Sequence, residues 1–379
     1  MIVGAGLVPA RRSKSIRARA GTTVEPTEPG NSASRQHLPM KDLKGQIVKK
    51  TISTSSLGIL LLLLLSTAGA VQTHRPGPPS VNLASYLPAS DAVAIVDTKR
   101  MLNETMPRIL GGDAAKLAQA NAEVDKFTTK TGIDLHSFDR VAVGVRYIYP
   151  NAKTTKLETV AIAHGSFNAG AVAASVRAAG SGKSREEKYR GATVTIINVN
   201  DDIKLLGLWT MHINELAICV LDQNSLAMGT PASVRAAIDA GKAGRAPADL
   251  IALATRDKNA VLGFGGNVTR ELLNNLDVGN DTIAKDVSSI KQVYGSVGST
   301  QTDVTMNMIA LTDSAAAAKN LGDMVDGVKQ IGGFLVMRMA EPRKSLAESA
   351  LNNMTATARG SEVEIRTQVT AASLAALVK

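Results

Sequence analysis

The sequence predicts an α+β protein: two similar lobes of mixed or antiparallel sheet, with helices packed on one face. Three observations lead there. A strand–helix–strand–strand–helix order begins at Asp91 and recurs at Asn259. Consecutive strands are joined by short turns, which suits antiparallel neighbours. The segment "SEVEIRTQVT" alternates, with Val363, Ile365 and Val369 on one side and Glu362, Glu364 and Arg366 on the other. That is the pattern of a sheet dry on one face and wet on the other.

The chain begins before its fold does. Residues 1–39 hold Pro9, Pro26, Pro29 and Pro39 and sustain no period, so they read as a disordered extension. Met40 reads as the true start, with 1–39 as translated upstream sequence; an export tail is the other reading. "MIVGAGLVPARR" has two glycines of a dinucleotide fingerprint but no third glycine and no strand ahead of Gly4. Residues 40–70 have the grammar of a secretory signal. Lys41, Lys44, Lys49 and Lys50 precede an apolar block from Leu57 to Leu65, then Ala68-Gly69-Ala70. Cleavage is expected between Ala70 and Val71. The fourteen residues from Leu57 to Ala70 fall short of the roughly 20 a spanning helix needs, but an uncleaved anchor is the alternative. Either way the positive flank sends the C-terminal side across the membrane. The expected location is periplasmic or secreted, or anchored in the inner membrane with the fold outside the cytoplasm. Residues 71–83, including "HRPGPPS", read as a linker.

The first lobe is expected over 84–247. Ala92–Val96 reads as a buried strand, with a short helix from Thr98. Asp113 caps the next helix, whose face is Leu117, Ala120, Val124 and Phe127, and Gly132 stops it. "RVAVGVRYIY" and "KLETVAIAHGS" read as strands around a turn near Pro150-Asn151, and Ala169–Ala179 as a helix. The charged run Lys183–Arg190 reads as a solvated strand or loop. "ATVTIINV" and "LAICVLD" read as strands, and Pro231–Ala240 as a helix. The second lobe, 248–379, repeats the order with "NAVLGFGGNVTRELLNNL", "KQVYGSVGS" and "DVTMNMIALTDSAAAAKNLGDMV". Leu321, Met324, Val325, Val328, Ile331 and Leu335 form the apolar stripe of a long helix expected on the dry face. Gly332-Gly333 is a candidate kink.

"SYLPASDAVAIVDTKRML", "KYRGATVTIINV", "LAICVLDQNSLAMGTPASVRAAID" and "KNAVLGFGGNV" together resemble a class of exported bacterial envelope proteins of unknown function. These open with a Leu-Pro-x-Asp-type lead-in and carry a duplicated α+β unit. The resemblance spans most of 84–379. It implies a two-copy envelope protein and no known activity, and no functional residue is carried over from it.

Charge excludes one class of partner. The chain is +10, yet residues 71–379 carry 33 Lys/Arg against 30 Asp/Glu. No clustered basic face with stacking aromatics stands out, so no nucleic-acid partner is expected. Cys219 is the single cysteine, so no intrachain disulfide can form; within "LAICVLD" it reads as a buried small hydrophobe.

No catalytic, cofactor-binding or metal-binding residue is assigned, and no cofactor is expected. His74, His136, His164 and His212 lie outside metal-ligand spacing of one another. His164 and Ser166 lack the elbow of a nucleophilic serine. Asp201-Asp202 reads as a hairpin turn. Gly263–Gly266 reads as a strand approached closely by other backbone, since no Lys-Ser/Thr follows to make a phosphate loop. Asn103, Asn267, Asn280 and Asn353 are glycosylation sequons, of consequence only in a glycosylating secretory pathway. Two functions are carried forward. The first is an exported, non-catalytic cell-envelope protein binding a partner or an apolar ligand. The second is an exported hydrolase with a spatially assembled site, His164 and Ser166 being its test. Membrane contact is expected only through 52–70, if uncleaved; partner and oligomeric state are left open.

Overall fold

The computed structural model describes residues 83–379, apart from 152–153, 181, 183, 206–208, 244–245, 275–285, 301 and 378–379. Residues 1–39, the stretch 40–70 read as a secretory signal, His74, Asn280 and nearly all of 71–83 lie outside the described residues.

Twelve strands form one antiparallel sheet. They are β1 (Ala92–Asp97), β2 (Phe138–Asn151), β3 (Thr154–Gly165), β4 (Ser184–Tyr189), β5 (Ala192–Leu205), β6 (Trp209–Val220), β7 (Ser225–Gly229), β8 (Leu262–Asn267), β9 (Ile290–Ser299), β10 (Asp303–Thr312), β11 (Thr355–Arg359) and β12 (Glu362–Thr370). Their order is β11-β12-β10-β9-β8-β1-β2-β3-β7-β6-β5-β4. Every neighbouring pair runs antiparallel. The expected α+β class with antiparallel strands is therefore found. The two stretches expected as separate lobes share one sheet, joined where β1 pairs with β8, Val93 opposite Gly265.

The helices are α1 (residues 98–110), α2 (Ala114–Thr131), α3 (Ala169–Ala179), α4 (Pro231–Ala243), α5 (Ala248–Ala254), α6 (Arg270–Asn274), α7 (Ala315–Val336), α8 (Arg343–Asn353) and α9 (Ala371–Ala375). Their ends follow local chemistry. Asp113 accepts from the N–H groups of Ala115 and Lys116 at the start of α2, and Gly132 stops it at φ 72°. A β-carbon at Gly132 would also meet the Ser175 carbonyl, so α2 and α3 close on each other there.

Helices cover both faces of β2–β3 and β5–β7, not one as expected. Ala217 and Cys219 of β6 pack with α4 and α5, while Leu216 and Ile218 face α2 and α3. All four are buried, because "LAICV" is apolar at every position and neither face can be left in water. Across β10 and β12 the single-face expectation holds; on β9 α5 also reaches the opposite side, where Asp249 accepts from Gln292. α7, α8 and α9 pack on Val304, Ala310, Val363 and Val369. The opposite side carries Glu362, Glu364 and exposed Arg366, the wet face read from the alternation.

Two local expectations change. Asp201-Asp202 is not a turn; it continues β5, with Asp201 opposite Ile213 and Asp202 opposite His212. The irregularity that suggested a turn is taken up one residue earlier, at Asn200, whose φ of 39° is one Asn tolerates. "SLAMG" forms β7 between β3 and β6, although its five residues carry too little pattern to mark a strand by themselves.

Candidate functional site

His164 ends β3, opposite Ser225 at the start of β7. Its Nδ1 lies 3.3 Å from the Ser225 Oγ, and not on Ser166, which is exposed and bonds through its N–H to the Ser137 carbonyl. Ser225 is 1% exposed. On the other side of Ser225 stands Asp222. Burial works to raise the Asp222 carboxyl. Hydrogen bonds from the Asn224 N–H, the Tyr86 and Ser225 hydroxyls and the Ser225 N–H outweigh it and hold the group below its ordinary range. The Ser225 hydroxyl thus stands between Asp222 and His164, and its burial closes it to a substrate. The row Tyr86–Asp222–Ser225–His164 ties the 3₁₀ turn Leu83–Tyr86 to the ends of two strands.

Gly263 and Gly265 hold no phosphate loop. A β-carbon at Gly263 would sit 1.9 Å from the Ala254 carbonyl oxygen, and one at Gly265 3.0 Å from that of Leu250. α5 lies directly on β8, as the close-approach reading expects. Cys219 is 1% exposed, and burial raises its thiol pKa to about 11, which leaves it unreactive. Among the described residues no group of three or more His, Cys, Asp or Glu side chains is arranged to hold a metal.

The wet face of the sheet carries a charged network. The Arg256 guanidinium donates to the Tyr294 hydroxyl at 2.7 Å, and that hydroxyl donates to Glu362 at 2.6 Å. Burial, then the Glu362 carboxylate, push the Tyr294 pKa up to about 12. Arg366 and Asn307 both donate to Glu364. Arg256, Arg359, Glu362, Glu364 and Arg366 line a hollow of about 150 Å³. A second hollow, about 330 Å³, lies between α4 and β2–β3; its floor is Gly144 and Val160, and Arg146, Glu158 and Asp239 stand at its rim.

The unexpected feature is apolar. Among the described residues the large hydrophobic side chains left exposed are Val328 (38%), Phe334 (69%), Met337 (61%) and Met339 (41%). All four fall within twelve residues, at the end of α7 and the turn after it. The stripe read from the sequence is core at its start, where Leu321 is buried and Met324 packs beside it. Val328 is exposed, and farther along α7 Gly332 and Val336 are buried while Phe334 between them stands out. Gly332 packs on Leu351 of α8, and Lys329 donates to the Met354 carbonyl. The side chains of Ile331 and Leu335 lie outside the described residues. The stripe does not include Phe334, Met337 or Met339. The signal for them is "FLVM", four apolar residues in succession, which one buried helix face cannot hold. No described helix is long and apolar enough to cross a membrane.

No protein-family model matches the chain, and no curated protein matches it significantly. Among solved structures, crystal forms I, III and IV of TP0453 align with TM-scores of 0.42, 0.40 and 0.41 at 12, 10 and 11% identity. The alignments cover 79% of this chain and 97–98% of TP0453. At that level no residue or role is carried across.

Proposed function

We propose that this chain is an exported cell-envelope protein that works by binding at an apolar surface. The observation that carries the binding reading is the exposed Phe334, Met337, Met339 and Val328 at one end of α7. A soluble surface seldom gathers its exposed apolar side chains in one place unless something covers them. The export reading rests on the basic flank, apolar block and small-residue triplet of residues 40–70. It places the fold in the periplasm or outside the cell, or tethers it to the inner membrane with the fold beyond the cytoplasm. The hydrolase reading gains no support from His164, whose partner is the buried Ser225.

We further propose that 84–247 and 248–379 are two copies of one unit. The strand order supports this. From the β1–β8 join, β1-β2-β3 runs outward on one side and β8-β9-β10 on the other. Each side ends in a hairpin, β5–β4 or β12–β11, with β7 and β6 inserted in the first copy.

Alkaline phosphatase, active only after export, tests the location when fused behind Lys379. Full activity is expected. An intact, abundant, inactive fusion would return residues 57–70 to the reading of a surface or buried helix.

A further inference from the structure

We infer that the exposed end of α7 is a membrane-contact tip that docks on the headgroup region of an anionic bilayer. The inference rests on the binding reading above and names its partner. Three features point to a lipid surface. First, the apolar side chains are long and unbranched or aromatic: Phe334, Met337 and Met339 can enter an interface without a shaped pocket to receive them. Second, basic residues flank them in the chain, although Lys329 donates to the Met354 carbonyl and Lys344 pairs with Glu348. Residues 328–344 contain Lys329, Arg338, Arg343 and Lys344 against one acid, Glu341. An apolar centre with a net positive flank complements anionic headgroups above an acyl layer. A protein partner would need no such charge bias. Third, α7 is too polar to cross a bilayer, so its contact is confined to the interface. This adds a second membrane contact to the one expected at 52–70.

Chain length permits both contacts together. Twelve residues lie between Ala70 and Leu83, the first described residue. Fully extended they reach about 45 Å. With the apolar block retained, the fold stays within that distance of the bilayer; after cleavage the tip is the attachment.

A fluorophore at the tip tests this in the full-length chain. Met337→Cys, labelled with an environment-sensitive dye, reports on the tip, and Lys258→Cys, also exposed, is the reference. Cys219 stays unlabelled because it is buried and its thiol pKa is about 11. Both proteins are reconstituted in vesicles of phosphatidylcholine alone or with about one-third phosphatidylglycerol. The expected result is a blue shift and loss of iodide quenching at 337 in the anionic vesicles, reversed by high salt, with 258 unchanged. Equal quenching at 337 and 258 in both vesicles would overturn the inference. Equal protection in neutral and anionic vesicles would overturn the headgroup preference. A shift that appears without vesicles and grows with protein concentration would assign the tip to a second copy of the chain. That outcome overturns the lipid partner but leaves the binding reading standing, and export is decided separately by the phosphatase fusion.

Discussion

At Gly263 the absence of a side chain is a packing requirement. A β-carbon there would lie 1.9 Å from the Ala254 carbonyl oxygen, backbone that cannot swing aside. Gly263→Ala is expected to cost about 3 kcal/mol or more in urea unfolding, since α5 must lift from the sheet. A β-carbon at Gly327, in the middle of α7, would meet nothing within 4 Å, so Gly327→Ala is expected to stabilise by about 0.5–1 kcal/mol. A second residue-scale expectation concerns Tyr294, whose pKa burial and then Glu362 raise from 10.0 to about 12. The folded pKa lies above the unfolded one, so the fold favours the protonated phenol. Its contribution is complete below pH about 10 and is lost as pH rises through about 12. Titration followed at the tyrosinate absorbance should show a Tyr294→Phe variant lacking one late-ionising group. A wild-type curve with all tyrosines ionised by pH about 10.5, close to the ordinary tyrosine range, would contradict this.

At the scale of elements, α7 is packed at Leu321 and open at Phe334. Leu321 is 3% exposed beside Ala310 and Val363, and burying such a side chain contributes about 1.5–3 kcal/mol. Leu321→Ala is expected to lose about 2–5 kcal/mol of stability. Phe334→Ser, at a side chain 69% exposed, is expected to change it by less than about 0.5 kcal/mol. Chemical denaturation of the two variants separates a helix that is core throughout from one that is open at Phe334. A large loss at Phe334 would mean that the tip is packed in solution. The same contrast explains the stripe. Its spacing marks one helix face, but spacing does not say where the sheet beneath a helix ends.

At the scale of the whole molecule, the β1–β8 pairing makes one sheet from residues 84–247 and 248–379. The core crosses the expected boundary at residue 247: Leu250 and Ala254 of α5 pack with Leu87, Val93 and Val160. Unfolding of 84–247 therefore removes the surface that buries α5. A single urea transition is expected, superimposable by far-ultraviolet dichroism and tyrosine fluorescence. Two separated transitions would show that the copies are energetically independent despite the shared sheet.

Local chemistry is enough to locate β1, α2, α3, β10, α7 and β12. A cap at Asp113, a stop at Gly132 and the alternation of Val363 with Glu364 act over a few residues and are written in adjacent letters. The burial of Cys219 and the close approach at Gly263 are legible for the same reason. Partner choice is not. That β1 lies against β8, that β7 enters between β3 and β6, and that "LAICV" needs helices on both faces depend on residues far apart in the chain. The apolar tip is hidden in the same way. Phe334 and Met337 have the composition of core residues, and only the tertiary structure shows that they face water while Val336 between them is buried. Periodicity records which side of an element is apolar; what covers that side is decided by tertiary packing.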